Sequence, residues 1–340
     1  MELKRLIETI ESFAPSQLAL DWDRCGVQVA GTKQQIKSMA VALDPDEETI
    51  DQAVRLKVDF LLTHHPLTLK PKLPDKVDSF HRILSRLLST NTILYSAHTS
   101  LDVNPAGPVS WLARDLGMQN TAVLFPTFTQ KNTCLVLDSP VELPLEDIPH
   151  GRYIRHLQHT PQGLLKGLTL PCDQVEPFIS SLEEKIGPFS FQILESSSPG
   201  KEYGLGLIGD LPGPALFADF MAGLQKILGM ERIICAGQIP ETVTRVAYCP
   251  GSGGDLAARA FSLGADIFIT GDLKYHQAQE VFDQGCTLDP GHFILEEKMM
   301  LSWHEALFKR LSQVEIHFIR GKNPYRIFDK DILKSFSGED

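Results

Sequence analysis

Two adjacent histidines follow a short apolar segment in the first quarter of the sequence. Residues 60–63 have the pattern of a buried strand, and His64, His65 and Pro66 come directly after them. Ligands of open α/β sheets lie beyond the carboxyl ends of strands, so these imidazoles stand where a site would form. Pro66 keeps His65 extended, and successive side chains of an extended segment point in opposite directions, which suits two metal ions better than one. The alternative is a hydrogen-bonded structural histidine beside an exposed one.

A second predicted strand ends in ionisable residues in the same way. Residues 92–97 are apolar and β-forming, and His98 and Asp102 follow them. If this strand lies parallel to and beside the first, both side chains emerge at the same edge of the sheet. Asp102 taken alone is equally well explained as a turn or N-cap residue.

A third candidate lies near the C-terminus, where a turn at Pro290 and Gly291 separates a predicted strand from a predicted helix. His292 and Glu296 are four residues apart and therefore share one face of that helix, although such a pair is usually a surface contact. Together the three strand ends offer three imidazoles and two carboxylates, a ligand set suited to zinc, iron or manganese.

Strands and helices alternate in both outer thirds of the chain, which predicts an α/β layered fold. The middle differs, because residues 164–170, 175–186 and 189–194 form a strand-helix-strand pattern, half of a ferredoxin-like unit. We therefore predict a split α/β metal-binding domain interrupted by a smaller inserted α+β domain. The predicted ranges are 1–120 for the first half of the α/β domain, 121–202 for the insertion and 203–340 for the second half.

The charge balance limits the partners that the protein can have. The 340 residues include 43 acidic and 32 basic side chains, a net charge of −11, so a protein that coats nucleic acid or an anionic membrane is not expected. An acidic substrate would need a local cationic feature. The six cysteines form no C-x-x-C pair, which predicts a reducing compartment, and no apolar segment approaches the length of a membrane helix. We expect a cytoplasmic protein.

A glycine-rich segment and a basic one are further candidates. Residues 251–254, Gly-Ser-Gly-Gly, lie between a predicted strand and helix, where backbone amides could receive a phosphate. Close packing of the turn against the sheet is the favoured alternative. Lys274 and His276 could supply a cation and a proton shuttle at the same edge, although His276 could equally hydrogen-bond the scaffold.

These motifs resemble those of one known family, the NIF-three-like proteins, also called GTP cyclohydrolase type 2 homologues or dinuclear metal centre hexameric proteins. The matching segments occur in the family's order in both outer thirds of the chain, and some members carry a PII-like or CutA-like insertion between them. The sequence departs from the family at Arg24-Cys25 and Ser100, where Asn is common, and at Pro290, where Ala is frequent. The matching segments are residues 20–23, 26–29, 63–67, 96–102, 251–254, 264–276 and 289–292.

The resemblance implies a centre of two divalent ions per subunit, with His64, His65, Asp102, His292 and Glu296 as ligands. It implies that His65 and Asp102 bind one ion, that His64 and His292 bind the other, and that Glu296 bridges them. It also implies a toroidal homohexamer.

The function that the resemblance implies is metal-dependent hydrolysis, in which a metal-activated hydroxide attacks C8 of the guanine ring of GTP. His98 or His276 would move protons, and residues 251–254 or Lys274 would hold phosphate. Nothing in these residues selects guanine. The alternatives are a metal-binding or regulatory scaffold without turnover and a metal-dependent phosphoesterase.

Overall fold

The chain is divided into two compact units, the second inserted into the first. The computed structural model describes residues 1–139, 154–160, 163–195 and 200–326. Unit 1 consists of Met1–Phe125 and Gly204–Asp340, and unit 2 consists of Pro126–Tyr203. The sequence-based prediction placed the insertion at residues 121–202.

Ten α-helices are found in the described part of the chain. They are α1 (Leu3–Glu11), α2 (Glu47–Arg55), α3 (Ser79–Thr90), α4 (Thr99–Asp102), α5 (Trp111–Asp115), α6 (Val175–Ile186), α7 (Phe217–Leu228), α8 (Ala257–Ser262), α9 (Tyr275–Glu280) and α10 (His292–Arg310). None of these helices has the length and apolarity needed to cross a bilayer.

Fifteen strands accompany these helices in the same described ranges. They are β1 (Gly26–Val29), β2 (Ser38–Ala42), β3 (Phe60–Thr63), β4 (Ile93–Ser96), β5 (Gln119–Gln130), β6 (Asn132–Ser139), β7 (Ile154–Thr160), β8 (Gly163–Pro171), β9 (Ser190–Glu195), β10 (Lys201–Leu216), β11 (Ile234–Gly237), β12 (Thr242–Tyr248), β13 (Ile267–Ile269), β14 (Cys286–Asp289) and β15 (Glu315–Phe318). The α/β class predicted from the sequence is confirmed.

The described residues of unit 1 form two sheets. The first has the order β1-β4-β3-β2-β15, in which the last four strands are parallel and β1 is antiparallel to β4. The second has the order β11-β14-β13-β12-β10-β5, in which β12, β13 and β14 are parallel and β11 is antiparallel to β14. Each sheet therefore gathers the carboxyl ends of consecutive parallel strands at one edge.

Successive side chains of a buried strand belong to different hydrophobic cores. In β2, Met39 and Val41 belong to a large core with α1, α7, α10 and side chains of the second sheet, whereas Ala40 and Ala42 pack with α2 and α3. Because successive side chains of a strand point to opposite faces, each sheet is covered on both faces. This arrangement explains why β3 is buried throughout, and it leaves the strand ends as the place for polar groups.

The two halves of unit 1 share one order of elements. The series α1-β1-β2-α2-β3-α3-β4-α4 is followed later in the chain by α7-β11-β12-α8-β13-α9-β14-α10. The likeness extends to single residues, because Asp59 before β3 and Asp266 before β13 each bond the amides of two residues at the start of the neighbouring strand. The corresponding segments of the two halves, residues 56–63 and 263–270, share Leu, Asp and Thr at the same spacing.

Unit 2 contains an antiparallel sheet of order β7-β8-β6-β9, with α6 between β8 and β9 in the chain. This order and these directions are those of a ferredoxin-like sheet. The strand-helix-strand prediction is confirmed, with bounds of Gly163–Pro171, Val175–Ile186 and Ser190–Glu195. Likeness to PII proteins stays a prediction.

Candidate metal centre

The parallel register of β2, β3 and β4 brings three chain segments to the same level. Ala42 pairs with Thr63, and Thr63 pairs with Ser96, so the residues that follow these strands emerge side by side. The Ser96 hydroxyl donates to the carbonyl of His64 at 2.8 Å, and the Thr63 hydroxyl donates to that of His65 at 2.8 Å. These bonds fix the backbone that carries the two histidines.

The second half of unit 1 contributes the start of α10. The Asp289 carboxylate accepts from Gly291 N at 2.8 Å and from Leu273 N at 2.9 Å, which ties the turn to the loop after β13. Gly291 has φ of 99°, a conformation that favours glycine. The helix then begins at His292, so His292 and Glu296 lie one turn apart on the same face, as the sequence predicted.

Glu296 lies at the centre of the resulting cluster. Its Oε2 is 2.7 Å from His292 Nε2 and 3.1 Å from His65 Nε2. Its Oε1 is 3.5 Å from His64 Nε2, which is 3.8 Å from Asp102 Oδ1. All five ligands implied by the family resemblance therefore converge. The distances group His64 with Asp102 and His65 with His292, a different division from the implied one, whereas a bridging position of Glu296 agrees with it.

Two buried polar atoms in this cluster have no hydrogen-bond partner within the described ranges, namely His64 Nε2 and Asp102 Oδ1. His64 is fully buried, and its ring is held from the other side by Nδ1, 3.3 Å from the carbonyl of Ala97. A buried polar atom without a partner costs about 1–3 kcal/mol. An imidazole nitrogen and a carboxylate oxygen that face each other without hydrogen-bond partners are suitable ligands for a divalent cation.

The carboxylates of the cluster shift the pKa of the outer two histidines. Burial would lower the pKa of His65, but Asp44 and Glu296 outweigh it and raise the value to about 10. Burial would also lower the pKa of His292, but Glu296 and Asp272 outweigh burial and raise the value to about 9.

The inner groups are shifted by burial and by one another. His64 has a raised pKa because Asp102 and Glu296 outweigh its burial. The pKa of Glu296 lies well below its usual range, since the histidines outweigh burial, whereas burial and Glu296 raise that of Asp102. Strongly shifted groups in one cluster are typical of functional sites.

Each partly exposed imidazole of the cluster is held by an aspartate at Nδ1. The distances from Nδ1 to the carboxylate oxygen are 2.7 Å for His65 and Asp44, 2.8 Å for His292 and Asp272, and 2.9 Å for His98 and Asp23. Such carboxylates fix the ring orientation and leave Nε2 for a metal or a proton.

These aspartates are not among the residues predicted from the sequence to form the site. Asp23 and Asp272 fall within the segments that resemble the family, and Asp44 follows the end of β2. Asp44 and Asp272 could have been identified from their position just beyond the parallel strands β2 and β13. Asp23 lies 75 residues from His98 in the sequence, so only the folded chain shows their contact.

His98 joins the cluster from the side of β4. Its ring centroid is 5.1 Å from that of His64 and 5.5 Å from that of His65. Ring nitrogens of these three residues lie within 4.8 Å of one another, as do donor atoms of His65, His292 and Glu296. Either group could hold a metal ion, and His98 belongs to the first of them.

The glycine-rich segment 251–254 packs against the centre. The Gly251 carbonyl accepts from Gly271 N at 2.9 Å, and Gly253 N donates to the Thr270 hydroxyl at 2.8 Å. Gly251 has φ of 71°, and a Cβ there would collide with Glu296 Oε1. These contacts agree with the close-packing alternative. They also engage Gly253 N, a backbone amide that phosphate binding would need.

His276 and Lys274 are not brought to the cluster by any contact among the described residues. His276 is exposed on α9, with its ring 5.4 Å from that of Tyr275. Lys274 precedes α9 and is also exposed. A proton-shuttle role for His276 and phosphate binding by Lys274 stay predictions.

Comparison with known sequences shows the family of the chain. A sequence model of Duf34/NIF3 (NGG1p interacting factor 3) matches residues 1–324. A Staphylococcus epidermidis protein named "GTP cyclohydrolase 1 type 2 homolog" is 27% identical, over 93% of this chain and 97% of its own. A Bacillus subtilis protein of the same name is 27% identical, over 87% of this chain and 89% of its own.

Solved structures show the same fold. The Bacillus cereus protein related to NIF3 has a TM-score of 0.83 and 24% identity, and the alignment covers 96% of this chain and 99% of that one. Reduced HcgD from Methanocaldococcus jannaschii has a TM-score of 0.63 and 23% identity, with 94% and 97% covered. The match of the family across nearly the whole chain, together with this fold, shows that the chain belongs to the Duf34/NIF3 family.

Proposed function

We propose that the protein is a dinuclear metal-dependent hydrolase that opens the guanine ring of GTP. The observation that carries the proposal is the convergence of His64, Asp102 and Glu296. Two of their buried atoms that could ligate a metal, His64 Nε2 and Asp102 Oδ1, have no hydrogen-bond partner among the described residues. The name of the bacterial relatives supports the choice of GTP.

Two groups of residues would hold the ions. The distances favour His64 and Asp102 for one ion and His65 and His292 for the other, with Glu296 between them. Divalent zinc, iron or manganese would acidify water and polarise the group that is attacked.

The residues of the chain would orient the ligands and move the proton. In the proposed reaction, water adds across the C8–N7 bond of guanine, its oxygen to C8 and one proton to N7. The C8–N9 bond then breaks as the C8 hydroxyl becomes a formamide carbonyl, and the proton of that hydroxyl is delivered to N9. His98 would carry that proton on Nε2, because Asp23 occupies its Nδ1. Asp44 and Asp272 would keep His65 and His292 facing the ions.

A substrate panel tests the proposal. The purified protein, loaded with zinc, iron or manganese, is incubated with GTP, other nucleotides and phosphoesters, with and without chelator. We expect chelator-sensitive conversion of GTP, lost in Glu296→Gln and kept in Glu305→Gln, whose side chain is exposed on the same helix.

Other results of the substrate panel would identify a different function. Turnover of phosphoesters but not of GTP would identify a phosphoesterase, and absence of any chelator-sensitive turnover would identify a metal-binding scaffold. GTP conversion that survives the double change His65→Ala and Glu296→Gln would contradict a role for this centre.

We also propose that the chain assembles as a toroidal homohexamer, as the family resemblance implies. Light scattering at micromolar concentration is expected to give six times the mass of one 37.8 kDa chain. A monomeric mass would contradict this assembly.

A further inference from the structure

A cavity of about 520 Å³ opens beside the candidate metal centre. His65 and Asp44 form part of its wall, so a molecule bound there would lie next to a proposed metal ligand. Phe80, Leu67 and Ile83 form an apolar part of the wall. The volume lies within the usual range for small-molecule sites, about 300–1,000 Å³.

Two lysines from distant parts of the sequence also line this cavity, Lys72 and Lys322. Lys72 Nζ is 2.7 Å from Asp78 and 4.8 Å from the centre of the Phe80 ring. Lys322 Nζ is 2.6 Å from Glu48. Both ion pairs are solvent-exposed and therefore worth less than about 1 kcal/mol, so a ligand can share or displace them at low cost.

The carboxylates in the cavity wall are already engaged by donors. Asp44 is bonded by the imidazole of His65, and Asp46 accepts from Thr49 N at 2.7 Å as the cap of α2. Each lysine ammonium, by contrast, has three N–H donors, of which the acidic partner needs one. An anionic group at this end of the cavity would thus meet cationic donors.

We propose that this cavity binds the substrate, and that the substrate is an anion with a planar ring, such as a nucleoside triphosphate. Its phosphates contact Lys72 and Lys322, and its ring packs against Phe80 with one edge towards His65. The inference rests on the proposed function and names the residues that hold its substrate. It also supplies a local cationic feature, which an acidic protein needs in order to bind an anion.

Calorimetric titration of the full-length, metal-loaded protein tests the inference with three probes: GTP, tripolyphosphate and guanosine. The double variant Lys72→Ala with Lys322→Ala is expected to bind GTP and tripolyphosphate about tenfold more weakly, because it loses charge-assisted hydrogen bonds. Its affinity for guanosine is expected to stay unchanged. Phe80→Ala should lower the affinity for GTP and for guanosine by about threefold to tenfold and leave the affinity for tripolyphosphate unchanged.

The matched control is Lys70→Ala, which removes an exposed charge from the same loop outside the cavity wall. Equal loss of affinity in this control would show a general charge effect and overturn the inference. Unchanged binding of GTP in the double variant would also overturn it, because the phosphates would then lie on the metals alone.

Failure of this inference can be told apart from failure of the proposed function. If the double variant binds GTP weakly and the unmodified protein still converts no nucleotide, the cavity stands and the hydrolase proposal falls. If GTP is converted with the same KM in the double variant and the unmodified protein, the hydrolase proposal stands and the cavity assignment falls.

Discussion

At the scale of single residues, the aspartates behind the histidines determine how the centre is built. Asp44, Asp23 and Asp272 each occupy the Nδ1 side of a ring and direct Nε2 inward. A neutral imidazole that lost this partner could rotate or exchange its proton between nitrogens. Metal affinity is therefore expected to depend on residues that touch no metal.

Asp44→Asn tests this dependence. The amide is a weaker acceptor and cannot offset the charge of the ring, so we expect metal affinity to fall about 10–100-fold. Competition with a chromophoric chelator measures the affinity. Asp51→Asn is the control, since Asp51 is partly exposed and pairs with Arg86 at 3.2 Å. A loss of metal affinity as large in the control would contradict the assignment.

Trp22 offers a local probe of the same site. Its side chain is 57% exposed, and its ring lies 5.7 Å from that of His98, whereas Trp111 and Trp303 are buried. We expect zinc to change the fluorescence emission of Trp22 and acrylamide to quench it. The variant Trp22→Phe should lose both responses, and a zinc response that persists in it would place the ion elsewhere.

At the scale of elements, the strand ends were predictable and the side-chain directions were not. The apolar runs of β3 and β4 identify buried strands, and the polar residues after them follow from that. The helical start at His292 was predictable from the turn at Pro290 and Gly291. The short helix α4 was missed, because four residues are too few to show a helical period.

The grouping of ligands around Glu296 was beyond sequence reasoning for a related reason. Which imidazole faces which carboxylate oxygen depends on side-chain torsions and on the approach of α10 to β3, and neither leaves a periodic pattern. The five residues could therefore be named from strand ends and family motifs, but their pairing required the folded chain.

Asp59 links the start of β2 to β3 and gives a pH-dependent contribution to stability. Its carboxylate accepts from Lys33 Nζ at 2.7 Å, Lys37 N at 2.8 Å and Ser38 N at 3.3 Å. Burial would raise the pKa of Asp59, but these donors outweigh it and lower the pKa. The stabilisation is therefore complete above the unfolded value, about 3.9, and is lost as the pH falls through the lower folded value.

Asp59→Asn is expected to lower the free energy of unfolding by about 1–3 kcal/mol at pH 7. The difference from the unmodified chain should shrink as the pH falls from about 4 through the lower folded pKa of Asp59, because the protonated carboxyl, like the amide, carries no charge. Urea midpoints measured across this range check the prediction. A difference that is independent of pH would show that the charge of Asp59 contributes nothing.

At the scale of the whole molecule, the centre joins the two halves of unit 1. His64, His65 and Asp102 come from the first half, and His292 and Glu296 come from the second. The sequence predicted the interruption of this unit because the middle of the chain differs in pattern. It did not reveal that α1, α7 and α10 share one core with both sheets.

Metal binding is therefore expected to stabilise unit 1 as a whole. A ligand at a hundred times its Kd adds about 2.7 kcal/mol to the free energy of unfolding, so zinc should raise the Tm and chelator should reverse the rise. Glu296→Gln should lose most of this response, since Glu296 contacts all three ligand histidines. Scanning calorimetry measures the zinc-dependent rise in Tm, with Glu305→Gln as the control. An equal rise in Tm in both variants would contradict a centre built on Glu296.

The repeated order of elements in unit 1 has a consequence for the origin of the chain. The shared order, with Asp59 and Asp266 in equivalent positions, is the pattern that duplication and fusion of a half-length gene would leave. The turn after β3 carries His64 and His65, whereas the matching turn after β13 carries Gly271 and Asp272. The two equivalent turns therefore contribute different parts of one centre. One supplies two imidazoles, and the other supplies the glycine and the aspartate that accommodate and orient His292.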